Sequence, residues 1–198
     1  VDCGLTYDDP LDVGDMTMAA DGELTVNMTG HGLSVGDLVK ITNADLQDKL
    51  FNTVTNLNGR YLVRAVTDAN NFTIETEAGE DVLPYVGDVQ LTVEEVRALI
   101  FTEGAKLRKS LETVFGFDHL ANEDVVALAD GNYIDGLTVN ADGSLDFGEP
   151  VFTAHVGLPY VSRAQTLDLN NQEQNDEGVL KATPEIYVEL VDTRGVEF

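Results

Sequence analysis

From Phe115 onward the chain alternates short strand-like runs with turn residues, at a spacing too tight for helices. Val125-Val126-Ala127-Leu128 leads to Asp130-Gly131, Tyr133-Ile134 to Gly136, and Leu137-Thr138-Val139 to Asp142-Gly143, with Leu145-Asp146-Phe147 beyond. Asp-Gly pairs suit tight β-turns, because Gly takes positive φ freely and Asp tolerates it. Strands at such intervals predict a meander or sandwich. Residues 151–156 read as a longer strand that ends at a Gly157-Leu158-Pro159-Tyr160 corner. Pro fixes φ and lacks an N–H, so the corner can border a strand but cannot sit centrally in one. Apolar residues resume at Val161, Ala164 and Leu167. Residues 170–178 are polar and acidic, a loop, and residues 186–191 form a closing strand before Thr193-Arg194-Gly195.

The first half is also β-rich. Residues 1–22 hold Asp8-Asp9-Pro10 and Gly14-Asp15, which predict loops. Leu24, Val26 and Met28 alternate with polar residues, Leu38-Val39-Lys40-Ile41-Thr42 is a second strand, and residues 43–57 are less regular. Asn58-Gly59 is a turn signal of the positive-φ kind. Residues 61–67 and 72–75, joined by Asp68-Ala69-Asn70-Asn71, predict a hairpin. One helix is expected, over 93–102: Thr92 and Glu95 fit a capping box, Val93, Val96, Leu99 and Ile100 share a face, and Gly104 ends it. The fold class is therefore mainly β with one short helix.

Charge narrows the function. The formal net charge is −25, from 36 acids against 11 bases, while 43% of residues are hydrophobic, enough for a sizeable core. So few bases argue against gripping a phosphate backbone or an anionic membrane. Lys106, Arg108 and Lys109 flank Leu107 and read as a solvated face. One cysteine, Cys3, excludes an intramolecular disulfide and reads as a packed apolar residue. No run approaches a membrane span, and no signal segment appears. Starting at Val1 and stopping just after a strand-like run, the chain reads as a piece of a longer protein.

No catalytic constellation emerges, and an enzyme is not expected. His31, His119 and His155 lack zinc-ligand spacing. Gly30, Gly32 and Gly36 have the wrong spacing for a phosphate loop, and no G-x-S-x-G elbow exists. A calcium loop with Gly143 sixth and Glu149 twelfth would start at Thr138 instead of Asp, between strands instead of helices, so a hairpin is the better reading. Catalytic, cofactor-binding and metal-ligating residues are all expected to be absent.

Several of these elements, in order, resemble the tail nozzle proteins of short-tailed bacteriophages, also called tail stabilisation or tail tubular proteins. The resemblance rests on His119-Leu120, on Ala129-Asp130-Gly131, on Val156-Gly157-Leu158-Pro159-Tyr160 followed by Thr166-Leu167, and on Thr193-Arg194-Gly195. Asp2-Cys3-Gly4-Leu5-Thr6-Tyr7 resembles the family's lead-in, with Cys3 in place of the usual small hydroxyl residue. In simpler relatives the lead-in passes soon to the His-Leu element. Here Gly30-His31-Gly32-Leu33-Ser34-Val35-Gly36-Asp37, Asn58-Gly59-Arg60-Tyr61 and Phe72-Thr73-Ile74 intervene. They look like a small β-barrel module related to the first catalytic-cysteine half-domain of ubiquitin-activating enzymes. No ubiquitin chemistry comes with it.

The resemblance implies a discontinuous platform of residues 1–8 and 112–198, with an inserted antiparallel β-barrel module and connecting helix over 9–111, its core at about 16–90. It implies a virion component of the tail, a hexameric ring below the portal and adaptor that extends the DNA-ejection channel. Its partners would be other copies, the adaptor and portal-side proteins, and tail fibres or spikes. The genome would pass without specific binding, and there would be no membrane anchor or cofactor. Gly157, Leu158, Pro159, Tyr160, Asp130, Gly131, Arg194 and Gly195 are then structural signature residues. The alternative is a binding module that contacts host glycan or a tail fibre through aromatics such as Tyr61 or Phe72, and a third class is a cell-wall hydrolase.

Overall fold

Every strand pairing in the computed structural model, which describes residues 5–160, is antiparallel. The strands of the first part are β1 Leu5–Tyr7, β2 Leu11–Asp12, β3 Asp15–Met18, β4 Leu24–Asn27, β5 Leu38–Thr42, β6 Asp45–Gln47, β7 Thr53–Asn56, β8 Gly59–Asp68 and β9 Asn71–Glu75. Then come β10 Tyr85–Val86, β11 Val89–Gln90, the helix α1 Val93–Arg97, β12 Ile100–Phe101, β13 Lys106–Lys109 and β14 Leu111–Val114. A 3₁₀ turn at Asp118–Leu120 precedes β15 Asp124–Ala129, β16 Asn132–Thr138, β17 Leu145–Val151 and β18 Ala154–Gly157. The protein is mainly β, as its punctuation predicts, with one α-helix among the described residues.

Seven strands, in the order β2-β13-β5-β8-β9-β4-β3, make a sheet that curls into a half barrel. Its two edges are consecutive in sequence: Val13 N–H bonds the Ala105 carbonyl on one side and Gly14 N–H the Asn27 carbonyl on the other. Alternation explains the curl's interior. Leu24 and Val26, Val39 and Ile41, Val63, Phe72 and Ile74, and Leu107 are all at most 1% exposed. Each such side chain contributes about 1.5–3 kcal/mol by leaving water. A second cluster gathers Val114, Phe117, Leu120, Val125, Ala127, Leu145, Val151, Ala154 and Val156, with Tyr7 packed against it. Its main sheet has the order β1-β18-β15-β16. Leu5, Thr6 and Tyr7 pair with Val156, His155 and Ala154, so the N-terminal strand lies in the sheet made by the end of the described chain.

The β5–β8 ladder ends at Ile41 and Gly59, but the two segments go on pairing beyond it, in a separate small sheet. Leu57 N–H bonds the Ala44 carbonyl, and Asp45, Leu46 and Gln47 pair with Asn56, Thr55 and Thr53. Residues 38–62 are thus one long hairpin arm with its tip at 48–52. Gly59 sits inside β8 and is not a positive-φ turn; Asn58 instead accepts the Ala44 N–H on its side chain. Asp45–Gln47 and Thr53–Asn56 are strands because cross-strand bonds and the buried Leu46 and Leu57 override weak local patterning.

Four further expectations change. Residues 1–22 contain β1, β2 and β3, each recruited by a distant partner and not by its own sequence. The helix is real and carries the Thr92–Glu95 capping box, but it ends at Arg97, and Ile100 and Phe101 form β12 against β6. Their β-branched and aromatic side chains suit the sheet. Gly136 does not end a strand; at φ 68° it forms a bulge inside β16, where the register shifts between Val125 and Ala127. Residues 151–156 are two strands, because Phe152-Thr153 breaks the run. The expected 61–67/72–75 hairpin is present as β8–β9. Cys3, the expected loop 170–178 and the expected strand 186–191 lie outside the described residues.

Candidate assembly surface

Asp130-Gly131 is a two-residue hairpin loop between Ala129 and Asn132, with both φ values positive, at 47° and 84°. That is the turn Asp-Gly favours. Its side chain does more than tolerate the conformation. One carboxylate oxygen accepts the Phe152 N–H at 3.0 Å; the other accepts the Thr153 N–H at 3.0 Å and the Thr153 hydroxyl at 3.1 Å. Asp130 therefore clamps the break between β17 and β18. Gly157 pairs with Val126 at the opposite end of β15. Leu158 is 40% exposed and Tyr160 87% exposed. The signature residues therefore do not converge on a pocket, and Arg194 and Gly195 lie outside the described residues.

Phe152 is 2% exposed, with Lys40 and Arg60 each 5.7 Å from its ring centroid. Its ring therefore lies against the base of the arm. Around that base and along the half barrel, bases pair with acids. Arg108 bonds Asp8 at 2.7 Å and holds its carboxyl below the usual range, while Lys109 meets Asp37 at 2.6 Å and Lys106 meets Asp12. Arg60 meets Glu77, and Arg64 meets Glu23, Glu75 and Asp81. The Lys106, Arg108 and Lys109 face is thus an ion-paired strand, not a free basic patch.

An open cleft of about 630 Å³ lies at the arm's base, lined by Leu38, Leu62, Leu111, Pro150, Arg60 and Glu112 among others. The arm's tip is its counterpart in character. Asp48 accepts the backbone N–H groups of Leu50 and Asn52 and the Asn52 side-chain amide. These bonds, those from Asn52 foremost, hold its carboxyl below the ordinary range. The turn so built displays Leu50 at 79% exposure and Phe51 at 74%. Phe51 has φ 61°, a left-handed conformation costly for a bulky residue. Beside it, the Thr55 hydroxyl bonds the Tyr85 carbonyl and so places the exposed Tyr85 and Val89 hairpin next to β7.

Sequence reading missed this tip, because Leu50-Phe51 looked like part of an irregular stretch. The available signal was an Asp48-to-Asn52 polar bracket around two large apolar residues. Conversely, the aromatics named for glycan contact are unavailable: Phe72 is 0% exposed and Tyr61 9%, its hydroxyl donating to the Leu57 carbonyl. His31 is a buried structural residue: its Nδ1 accepts the Leu33 N–H and its Nε2 donates to the Asp68 carbonyl. The 140–144 stretch is a turn, with Asp142 accepting from Ser144 and Gly143 at φ 73°. Among the described residues no three His, Cys, Asp or Glu side chains gather to hold a metal, and no helix is long and apolar enough to cross a membrane. The chain matches no family model and no curated protein.

Proposed function

We propose that this chain is a structural component of a phage tail nozzle, one subunit of a hexameric ring that extends the DNA-ejection channel below the portal and adaptor. The observation that carries the reading is the pairing of Leu5–Tyr7 with Ala154–Val156. The lead-in and the Val-Gly-Leu-Pro-Tyr element, about 150 residues apart, share one sheet, as a platform with a module inserted into it requires. The charge supports the same reading. Most bases in the arm and the half barrel are matched by carboxylates, so the surplus of acids faces outward and would repel a phosphate backbone. A conduit needs a wall that DNA slides past. Quantitative mass spectrometry of purified virions of the encoding phage tests the assignment: peptides of this sequence are expected in the tail fraction at ring stoichiometry. Their absence from the particle overturns it.

A further inference from the structure

We propose that the arm tip of one copy seats in the arm-base cleft of the next, so that copies associate head to tail. The inference rests on the ring reading above and supplies its contact. Tip and cleft occupy opposite ends of one hydrogen-bonded hairpin, 38–62, up to roughly 30 Å apart along the strands. A tip held at the far end of paired strands cannot reach its own base, so its occupant is a second molecule. Such a contact joins two different surfaces, and contacts of that kind build rings or open filaments instead of two-fold dimers.

Size and chemistry match. The cleft, at about 630 Å³, falls within the roughly 300–1,000 Å³ of sites that engulf a drug-sized group, enough for the Leu50 and Phe51 side chains. Leu38, Leu62, Leu111 and Pro150 give them an apolar strip within a lining whose other residues are mostly polar or charged. One pair of opposite charges is free to join them: Lys49, beside the tip, and Glu112, at the cleft, have no salt-bridge partner among the described residues. The Asp48 bonds keep the tip in shape before contact, so little ordering is lost on docking. A tight turn that spends conformational strain to hold a phenylalanine in water is otherwise unexplained.

Cross-linking tests it, on the full chain with C3S. One preparation carries L50C and another T113C, a cleft residue, and a short bismaleimide is added to each alone and to the mixture. Heterodimer is expected in the mixture only. F51N in the tip chain is expected to lower the yield at least about tenfold, the weakening from losing one buried phenylalanine. Its urea midpoint is expected unchanged or raised, because Asn accepts left-handed φ. K49E or E112K alone is expected to lower the yield, and the pair together to restore it. Cross-linking of L50C with itself at the mixture's efficiency overturns the head-to-tail contact, as does no cross-link at all. Native mass spectrometry of the same preparation separates the two ideas: a ring without the cross-link removes only this contact, whereas loss of both removes the ring reading too.

Discussion

Replacing Asp130 isolates the clamp between the β15–β16 loop and the β17–β18 break. Alanine removes three contacts, from the Phe152 N–H, the Thr153 N–H and the Thr153 hydroxyl. Each is worth about 1 kcal/mol net, more when the acceptor is charged. Water can replace those at half-buried Thr153, but the Phe152 N–H sits behind a side chain only 2% exposed. Alanine at φ 47° adds about 1 kcal/mol, since Asp tolerates that region and Ala does not. The expected loss is about 3–5 kcal/mol. Asparagine keeps the left-handed tolerance and one acceptor oxygen, so D130N should lose only about 1–2 kcal/mol, with D130G between the two. Urea unfolding of the full chain, followed by circular dichroism and tyrosine fluorescence, reads all three, and an unchanged m-value shows that only stability moved. If D130A unfolds within about 0.5 kcal/mol of the parent, or D130N costs as much as D130A, the clamp does not hold the break and the reasoning fails.

Three other outcomes are expected. Burial pushes the Tyr61 hydroxyl up to about 12, so one tyrosine should ionise near there by absorbance at high pH and Y61F should remove that step. Because the folded value lies above the unfolded one, stability is fully present below about pH 10 and falls by roughly 2–3 kcal/mol as the pH rises through the folded value. G143A should cost more than about 2 kcal/mol, since an added Cβ meets the Asp118 N and Oδ1 at 2.8 Å at φ 73°, whereas G131A, with nothing within 4 Å, should cost only the φ penalty of about 1 kcal/mol. The backbone and hydroxyl of Thr92 lower the Glu95 carboxyl's pKa, so the cap is present above the ordinary glutamate range and lost as pH falls through the depressed value. T92A should bring the Glu95 titration, followed by NMR, back toward the ordinary range and speed amide exchange in the first helical turn about fivefold.

The β class was legible because the signals were local. Asp130-Gly131 sits where its two residues want positive φ, and the Thr92–Glu95 box needs only four residues to close. The strands β1, β2 and β3 were not legible, since Leu5, Leu11 and Asp15 owe their strand state to Val156, Leu107 and Asn27. Helix length failed for the same reason: Ile100 fits a helical face but finds Gln47 across a ladder. The cleft could not be foreseen, because Leu38, Leu62 and Leu111 meet only in the folded chain. The tip had only the Asp48-to-Asn52 bracket to announce it, because exposure of Leu50 and Phe51 contradicts their residue type and is imposed by the Asp48 turn.

The first strand has a consequence for how the molecule is made. Thr6 and its partner His155 are 149 residues apart, so during synthesis β1 leaves the ribosome long before β18 exists. The half barrel can form in the interval, and its ends then emerge together, Leu11 beside Leu107 and Asp8 on Arg108. That shortens the closing loop by about 100 residues, a saving of only about 1 kcal/mol in closure entropy. The order of events matters more. Until β1 docks, β18 is an unpaired edge, and crowded nascent or refolding chains can exchange β1 between molecules. Swapped dimers should thus accumulate with protein concentration during refolding, and a short hinge at Asp8-Asp9-Pro10 is where the exchanged strand would cross.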